Sequence, residues 1–251
     1  MGSIIAELKI LRGALLRVAG FFLLLLVIFF SVPVGGTTIA AQAILRVRTD
    51  LLPAGVTLVI SNPLDAFIAE TVLAAELALV LTVPLLALEI YRFVAPGLYT
   101  RERRMLAWFF VSSFLLMLGG GVFAYKFVLP AFFSGLFGFM PAGVSALFNL
   151  REVMDLVAGM LLTTAIMFLL PVCMSLLSWM GLVQSAFWLR YWRHAVLIAL
   201  IFSAIITPDG TGVTMMILAL PICGLYALGV LGARALSKKG RTVTYSSTNA
   251  L

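Results

Sequence analysis

Apolar residues run along this chain in long blocks, not on one face of alternating segments, which is the pattern of helices surrounded by lipid. A helix needs ~20 apolar residues to cross ~30 Å of hydrocarbon. Residues 15–34 supply one such run, and Pro33 with Gly35-Gly36 closes it. Residues 37–62 are mixed, with Arg46, Arg48, Asp50 and a Leu52-Pro53-Ala54-Gly55 turn signal. The second run covers 71–94, with Pro84 predicting a kink. A third covers 105–129 and is expected to end at Pro130, and residues 132–150 read as a Gly/Pro/Phe-rich connection. The fourth, 153–180, holds Pro171 in its interior and is followed by Gly181.

The last two runs are shorter. Residues 195–206 make about 18 Å of helix. Thr207-Pro208-Asp209-Gly210-Thr211-Gly212 predicts a turn, and residues 213–231 are interrupted by Pro221 and Gly224. The pair reads as a short hairpin, too short for an undistorted bilayer. The fold class expected is therefore an all-α integral membrane protein of six transmembrane helices, the last two short. Residues 1–236 form one domain, and 237–251 are expected to be a disordered tail. The basic start before the first run resembles a secretory leader, but Ser31-Val32-Pro33-Val34-Gly35 is a poor cleavage site, so the segment is expected to stay as the first helix.

Composition supports a membrane protein, with 63% hydrophobic and 11% charged residues. The net charge of +7 does not gather on one face but falls between the apolar runs, which argues against a nucleic-acid surface. With the N-terminus in the cytoplasm, only Arg46, Arg48, Lys126 and Arg151 of the 17 basic residues lie outside, so both termini are expected to be cytoplasmic. Cys173 and Cys223 are isolated in apolar runs, and His194 is the only histidine. No metal-ligand spacing and no catalytic constellation can be assembled, and neither an enzyme nor a cofactor is expected.

Glu76 is the acidic residue best placed to lie within hydrocarbon, where an ionisable group is costly and points to function. A place near the outer interface, six residues beyond Glu70, is the competing reading. The stretch from Leu88 to Arg104 is the most informative. Pro96-Gly97 stops a helix and Glu102 sits among arginines at the start of the next. Glu102 could complement the helix dipole, grip an incoming guanidinium in a bidentate pair, or be occupied by its own neighbours.

Phe93-Val94-Ala95-Pro96-Gly97-Leu98-Tyr99 followed by Glu102-Arg103-Arg104 resembles the first cytoplasmic loop of TatC proteins, core subunits of the twin-arginine translocase. Leu11-Arg12 with Leu15-Leu16, Pro63-Leu64-Asp65-Ala66-Phe67, Phe123-Ala124-Tyr125, Trp179-Met180-Gly181 and Thr207-Pro208-Asp209 match the family in order along nearly the whole chain. The resemblance implies a multi-pass protein of the cell membrane that binds twin-arginine signal peptides of folded precursors. Its partners would be a TatA-type single-span subunit, TatB if present, and membrane lipid, in an oligomeric complex driven by the proton-motive force. Carried over by position, the signal-peptide surface includes Leu11, Arg12, Phe93, Pro96, Leu98, Glu102 and Arg104. The family usually has a glutamate where this chain has Ile10, and Glu7, one turn earlier, or Glu89 are the substitutes to consider. Many relatives carry an intramembrane glutamate or glutamine where this chain has Leu169, which moves any such role to Glu76, Thr163 or Thr164. Thr207 and Thr214 are the candidate contacts for a partner helix. A small secondary transporter is the alternative, disfavoured by the lack of an internal repeat and the scarcity of intramembrane charge.

Overall fold

A computed structural model describes residues 2–34, 36–52, 56–94, 100–138, 147–206 and 212–248. Helices dominate because a peptide group in hydrocarbon must find its partner within its own segment. The chain runs α1 (Gly2–Ser31), β1 (Pro33–Val34), β2 (Thr37–Thr38), α2 (Ile39–Leu51), β3 (Thr57–Val59), α3 (Asp65–Val94), α4 (Thr100–Phe123), a π-helical turn (Ala124–Val128), α5 (Leu129–Gly138), β4 (Leu147–Asn149), α6 (Leu150–Met167), α7 (Leu170–Trp179), α8 (Ser185–Arg190), α9 (Trp192–Ile206) and α10 (Gly212–Thr248). Among the described residues five stretches are long and apolar enough to cross a membrane: Leu11–Ser31, Asp65–Arg92, Arg103–Gly138, Leu150–Trp179 and Met215–Leu236. The shorter apolar helix Trp192–Ile205 makes the sixth.

The expected hairpin of two short helices is half right. α9 is short, but α10 passes Pro221 and Gly224 without a break and contains a 22-residue span. A proline in a lipid-embedded helix costs one bond and leaves the rest of the ladder intact, so apolar-run length underestimates the helix. The third run also extends further than expected. Pro130 sits at the second position of α5, and the turn before it is π-helical, with the Leu129 N–H donating to the Ala124 carbonyl. The wider turn accommodates the ring, and helix continues to Gly138. Pro171 does interrupt the fourth span. Its missing N–H and its ring break the ladder, which tightens to Leu169 N–H→Ile166 and Val172 N–H→Leu169 bonds between α6 and α7.

The chain divides into two compact units. The first comprises Met1–Phe114 with Pro141–Leu162. In it α1 packs along α3, with Phe30 edge-on to Phe67 at 5.3 Å. The mixed stretch after the first span folds as α2, capped by the Thr38 hydroxyl, which accepts from the Ala41 N–H at 3.1 Å. β3 pairs in parallel with β4. Asp65, buried at the start of α3, ties this end together by accepting from the Asn62 N–H at 2.8 Å and from Asn149 Nδ2 at 3.0 Å.

The second unit comprises Leu115–Met140 with Thr163–Leu251. Its core is built from Val128, Ala199, Leu218 and Ile222. α10 lies close on α7 because Gly229 and Gly232 present no side chain there. A Cβ on Gly229 would meet Met174 Sδ at 2.6 Å, and one on Gly232 would collide with Ser175 Oγ. Gly181, at φ +75°, ends α7, and the Leu182 N–H returns to the Leu177 carbonyl at 3.1 Å.

Close packing of α7 on α10 predicts that Gly232→Leu lowers stability by about 1–3 kcal/mol through overpacking. Gly224→Ala, which meets nothing within 4 Å, should hold or slightly raise it. Thermal unfolding of both variants in the same detergent checks this, and equal melting temperatures would contradict the packing argument.

Candidate functional site

Of the signal-peptide residues singled out by sequence, Leu11, Arg12 and Arg104 are described with their side chains in the first unit. α1 enters the membrane behind Leu11 and Arg12, both exposed. Its next cation, Arg17, crosses to α3. Arg17 donates from Nε to Glu89 Oε1 at 2.9 Å and from Nη2 to Oε2 at 2.7 Å, a two-point guanidinium–carboxylate pair between residues 72 apart. Arg92, one turn further along α3, approaches Oε1 at 3.7 Å. Glu89 is 5% exposed whereas the Arg17 side chain is 59% exposed, so the anion is enclosed while the cation stands at the protein surface. The guanidinium lies back along α1, since a Cβ on Gly13 would stand 3.7 Å from Arg17 Nη1. The pair therefore sits at the level of the Leu11-Arg12 segment and pins it to the end of α3.

A second link joins α3 to α4 around the loop. Arg103 Nε donates to Tyr91 Oη at 2.9 Å, and its guanidinium stands 5.6 Å from the Tyr91 ring centroid. Tyr91 in turn meets Phe110 edge-on at 6.4 Å. Arg104 is exposed on α4. Phe93 closes α3 and Glu102 opens α4 on helical backbone, but their side chains, like that of Glu7 on α1, lie outside the described residues. Pro96, Leu98 and Thr207 lie outside them altogether, and Thr214 falls on α10 with its side chain outside them.

Sequence reasoning missed the Arg17–Glu89 pair. The signal was available: each is an ionisable residue just inside the cytoplasmic end of an apolar run, where an unpaired charge is costly. The pair also bears on the carboxylate missing at Ile10. Glu89 places an acidic group near that segment, already holding a guanidinium from its own chain.

Glu76 is partly buried at the twelfth position of the Asp65–Arg92 span, roughly 16 Å along the axis from Asp65. Thr164 is buried with an Oγ1 that has no hydrogen-bond partner among the described residues, while Thr163 is engaged. Leu169 lines an apolar groove of about 820 Å³ in the second unit. Among the described residues no three His, Cys, Asp or Glu side chains gather to hold a metal ion.

With this geometry, the family match is direct. The family model described as "Sec-independent protein translocase protein (TatC)" matches residues 6–221. The chain belongs to the TatC family. The Sec-independent protein translocase protein TatC of Cenarchaeum symbiosum is 32% identical over 216 residues, covering 86% of this chain and 82% of that protein. The TatC protein of Koribacter versatilis is 34% identical over 173 residues, covering 69% of this chain and 64% of the relative. The crystal structure of "Twin Arginine Translocase Receptor- TatC" superposes with a TM-score of 0.74 at 21% identity, covering 92% of this chain and 99% of that one, which establishes the shared fold. This TatC protein is thus a multi-pass membrane component of a protein translocase and not an enzyme.

The two partners of the ion pair should respond unequally to substitution. Arg17→Ala strands a buried carboxylate and should cost ~1–3 kcal/mol, with Arg92 offsetting part of the charge. Glu89→Gln leaves Arg17 at an exposed position near the cytoplasmic end of α1, from which its long side chain can reach water or lipid phosphate, and its cost should be smaller. Comparing the two melting temperatures at one salt concentration checks the order, and a larger loss from Glu89→Gln would reverse the assignment.

Proposed function

We propose that this TatC protein is the receptor subunit that binds twin-arginine signal peptides at the cytoplasmic face and recruits TatA-type subunits for export driven by the proton-motive force. The observation that carries the reading is the cytoplasmic end of the first unit. There the Arg17–Glu89 pair ties the exposed Leu11-Arg12 segment to α3, whose end and the following helix start bear Phe93, Glu102 and Arg104. Glu102 is the candidate to take a signal guanidinium in a bidentate pair, which a lysine cannot reproduce. Phe93 and Leu98 supply contacts for the apolar part of the peptide. Arg12 is better suited to orient a carboxylate or a lipid phosphate than to bind another arginine, and Glu7 stands in for the missing acid at Ile10.

The short helix α9 supports the recruiting half of the reading. At 15 residues it spans about 22 Å, well under the ~30 Å hydrocarbon layer. Lipid thins around such a helix, which favours docking of a similarly short partner helix. Thr207 and Thr214 are the polar contacts proposed for the TatA-type subunit, or for TatB where one exists. The receptor would act in an oligomeric complex.

A photoreactive group at Phe93 should capture a twin-arginine signal peptide, and capture should vanish when both arginines become lysines. Equal capture of the lysine peptide would sink the recognition claim. Export of a twin-arginine reporter should fall roughly tenfold or more with Glu102→Ala, the worth of one charge-assisted bidentate contact. Glu7→Ala, alone and combined with Glu102→Ala, tells whether the two acids act together.

A further inference from the structure

The groove in the second unit is lined almost wholly by apolar side chains of α7, α9 and α10, with Trp188 of α8 at one end. Its volume of about 820 Å³ lies high in the ~300–1,000 Å³ range of sites that hold small molecules. Its depth is informative. From Tyr191 into α9 the lining runs to Phe202, and along the fourth span from Leu177 back to Ile166. Each is a run of twelve residues, roughly 16 Å of helix, about half of an undistorted ~30 Å hydrocarbon layer. The groove therefore extends from the cytoplasmic interface at least as deep as one leaflet.

Its cytoplasmic rim has the chemistry of a headgroup region. Trp188, Tyr191, His194 and Tyr226 line this end. Tyr226 Oη donates to the Trp188 carbonyl at 2.6 Å, and Trp188 Nε1 donates to Ser178 Oγ at 2.9 Å, so the rim is held in place. Arg190 and Arg193, both exposed, are the chain neighbours of the lining residues Tyr191 and His194 at the junction of α8 and α9, and the Arg193 guanidinium stands 5.7 Å from the Trp192 ring centroid. Nothing in the sequence nearby neutralises them. In the sequence beyond Asp155 the only acidic residue is Asp209, which follows the C-terminal end of α9, against six basic residues.

We propose that this groove binds an anionic phospholipid of the cytoplasmic leaflet, with an acyl chain along α7 and α9 and the phosphate held by Arg190 and Arg193. Charge complementarity selects this occupant. A neutral lipid would fill the groove but leave two arginines without a counter-charge, and a helix or signal peptide entering here would need acidic groups at its cytoplasmic end. Two arginines at a membrane surface suffice for a clear preference among lipids.

The test is native mass spectrometry of the full chain purified in detergent and titrated with phosphatidylglycerol, with phosphatidylcholine of the same acyl chains, and with inorganic phosphate alone. Phosphatidylglycerol should bind roughly tenfold or more tightly than phosphatidylcholine. Arg190→Gln with Arg193→Gln should erase the difference and leave phosphatidylcholine binding as it was. Cys173→Trp, which fills the groove from an exposed position, should weaken both lipids while melting behaviour is retained. Equal binding of the two lipids, or a preference that survives the double arginine substitution, overturns the proposal. Binding of phosphate as tightly as the lipid would make this an anion site without a lipid and would overturn it equally. A signal peptide that enters the groove while both lipids bind equally would assign it to the peptide instead.

Discussion

Hydrocarbon offers a peptide group no partner, and this one constraint decides which irregularities the chain can hold and where. Each interruption of the ladder within a span is local and compensated. The π-helical turn at Ala124–Val128 passes Pro130 without ending the helix, and the tightened bonds around Leu169 absorb Pro171. Irregular backbone and strand pairing are otherwise confined to the ends of spans. There β1 pairs with β2 and β3 with β4, and Asp65 gathers donors from Asn62 and Asn149. Side chains follow the same logic with the signs changed. Apolar residues on α1 are left exposed along most of its length, because lipid and not a protein core covers them.

Charges cannot be treated so leniently, and the Arg17–Glu89 pair shows why. A carboxylate 5% exposed at the edge of a span needs a fixed counter-charge, and a two-point guanidinium contact supplies charge and hydrogen bonds together. Because the pair joins α1 to α3, electrostatic necessity becomes geometry. It ties the N-terminal segment to the end of α3, the two stretches to which the proposed recognition is assigned.

Much of this was legible in the sequence, and the misses have physical causes. Span-length apolar runs identified six helices, since hydrophobic length is the property the bilayer selects. The helix α2 escaped because Arg46, Arg48 and Asp50 make it look like a connection, although Thr38 is a sound cap. α10 was underestimated because Pro221 breaks helices in water more decisively than in lipid. The loop motif around Phe93 and Glu102 was visible because its residues are contiguous. Arg17 and Glu89, 72 positions apart, become partners only once α1 lies on α3, and no local pattern encodes that. The groove behind Leu169 is hidden for the same reason, since its walls come from five helices.

The distribution of charge between the two units follows from what each has to hold. Of the ten acidic residues, all but Asp209 lie in the first unit, so only that unit can offer carboxylates to a guanidinium ligand at the cytoplasmic side. The second unit has basic residues alone at its cytoplasmic helix ends, which repel a twin-arginine peptide and attract anionic headgroups. Under the proposed reading, an arginine signal would find carboxylates at the cytoplasmic side in the first unit alone, and only at particular positions, since basic residues outnumber acidic ones there as well. The basic residues that orient the chain in the membrane would then also narrow where such a ligand can dock.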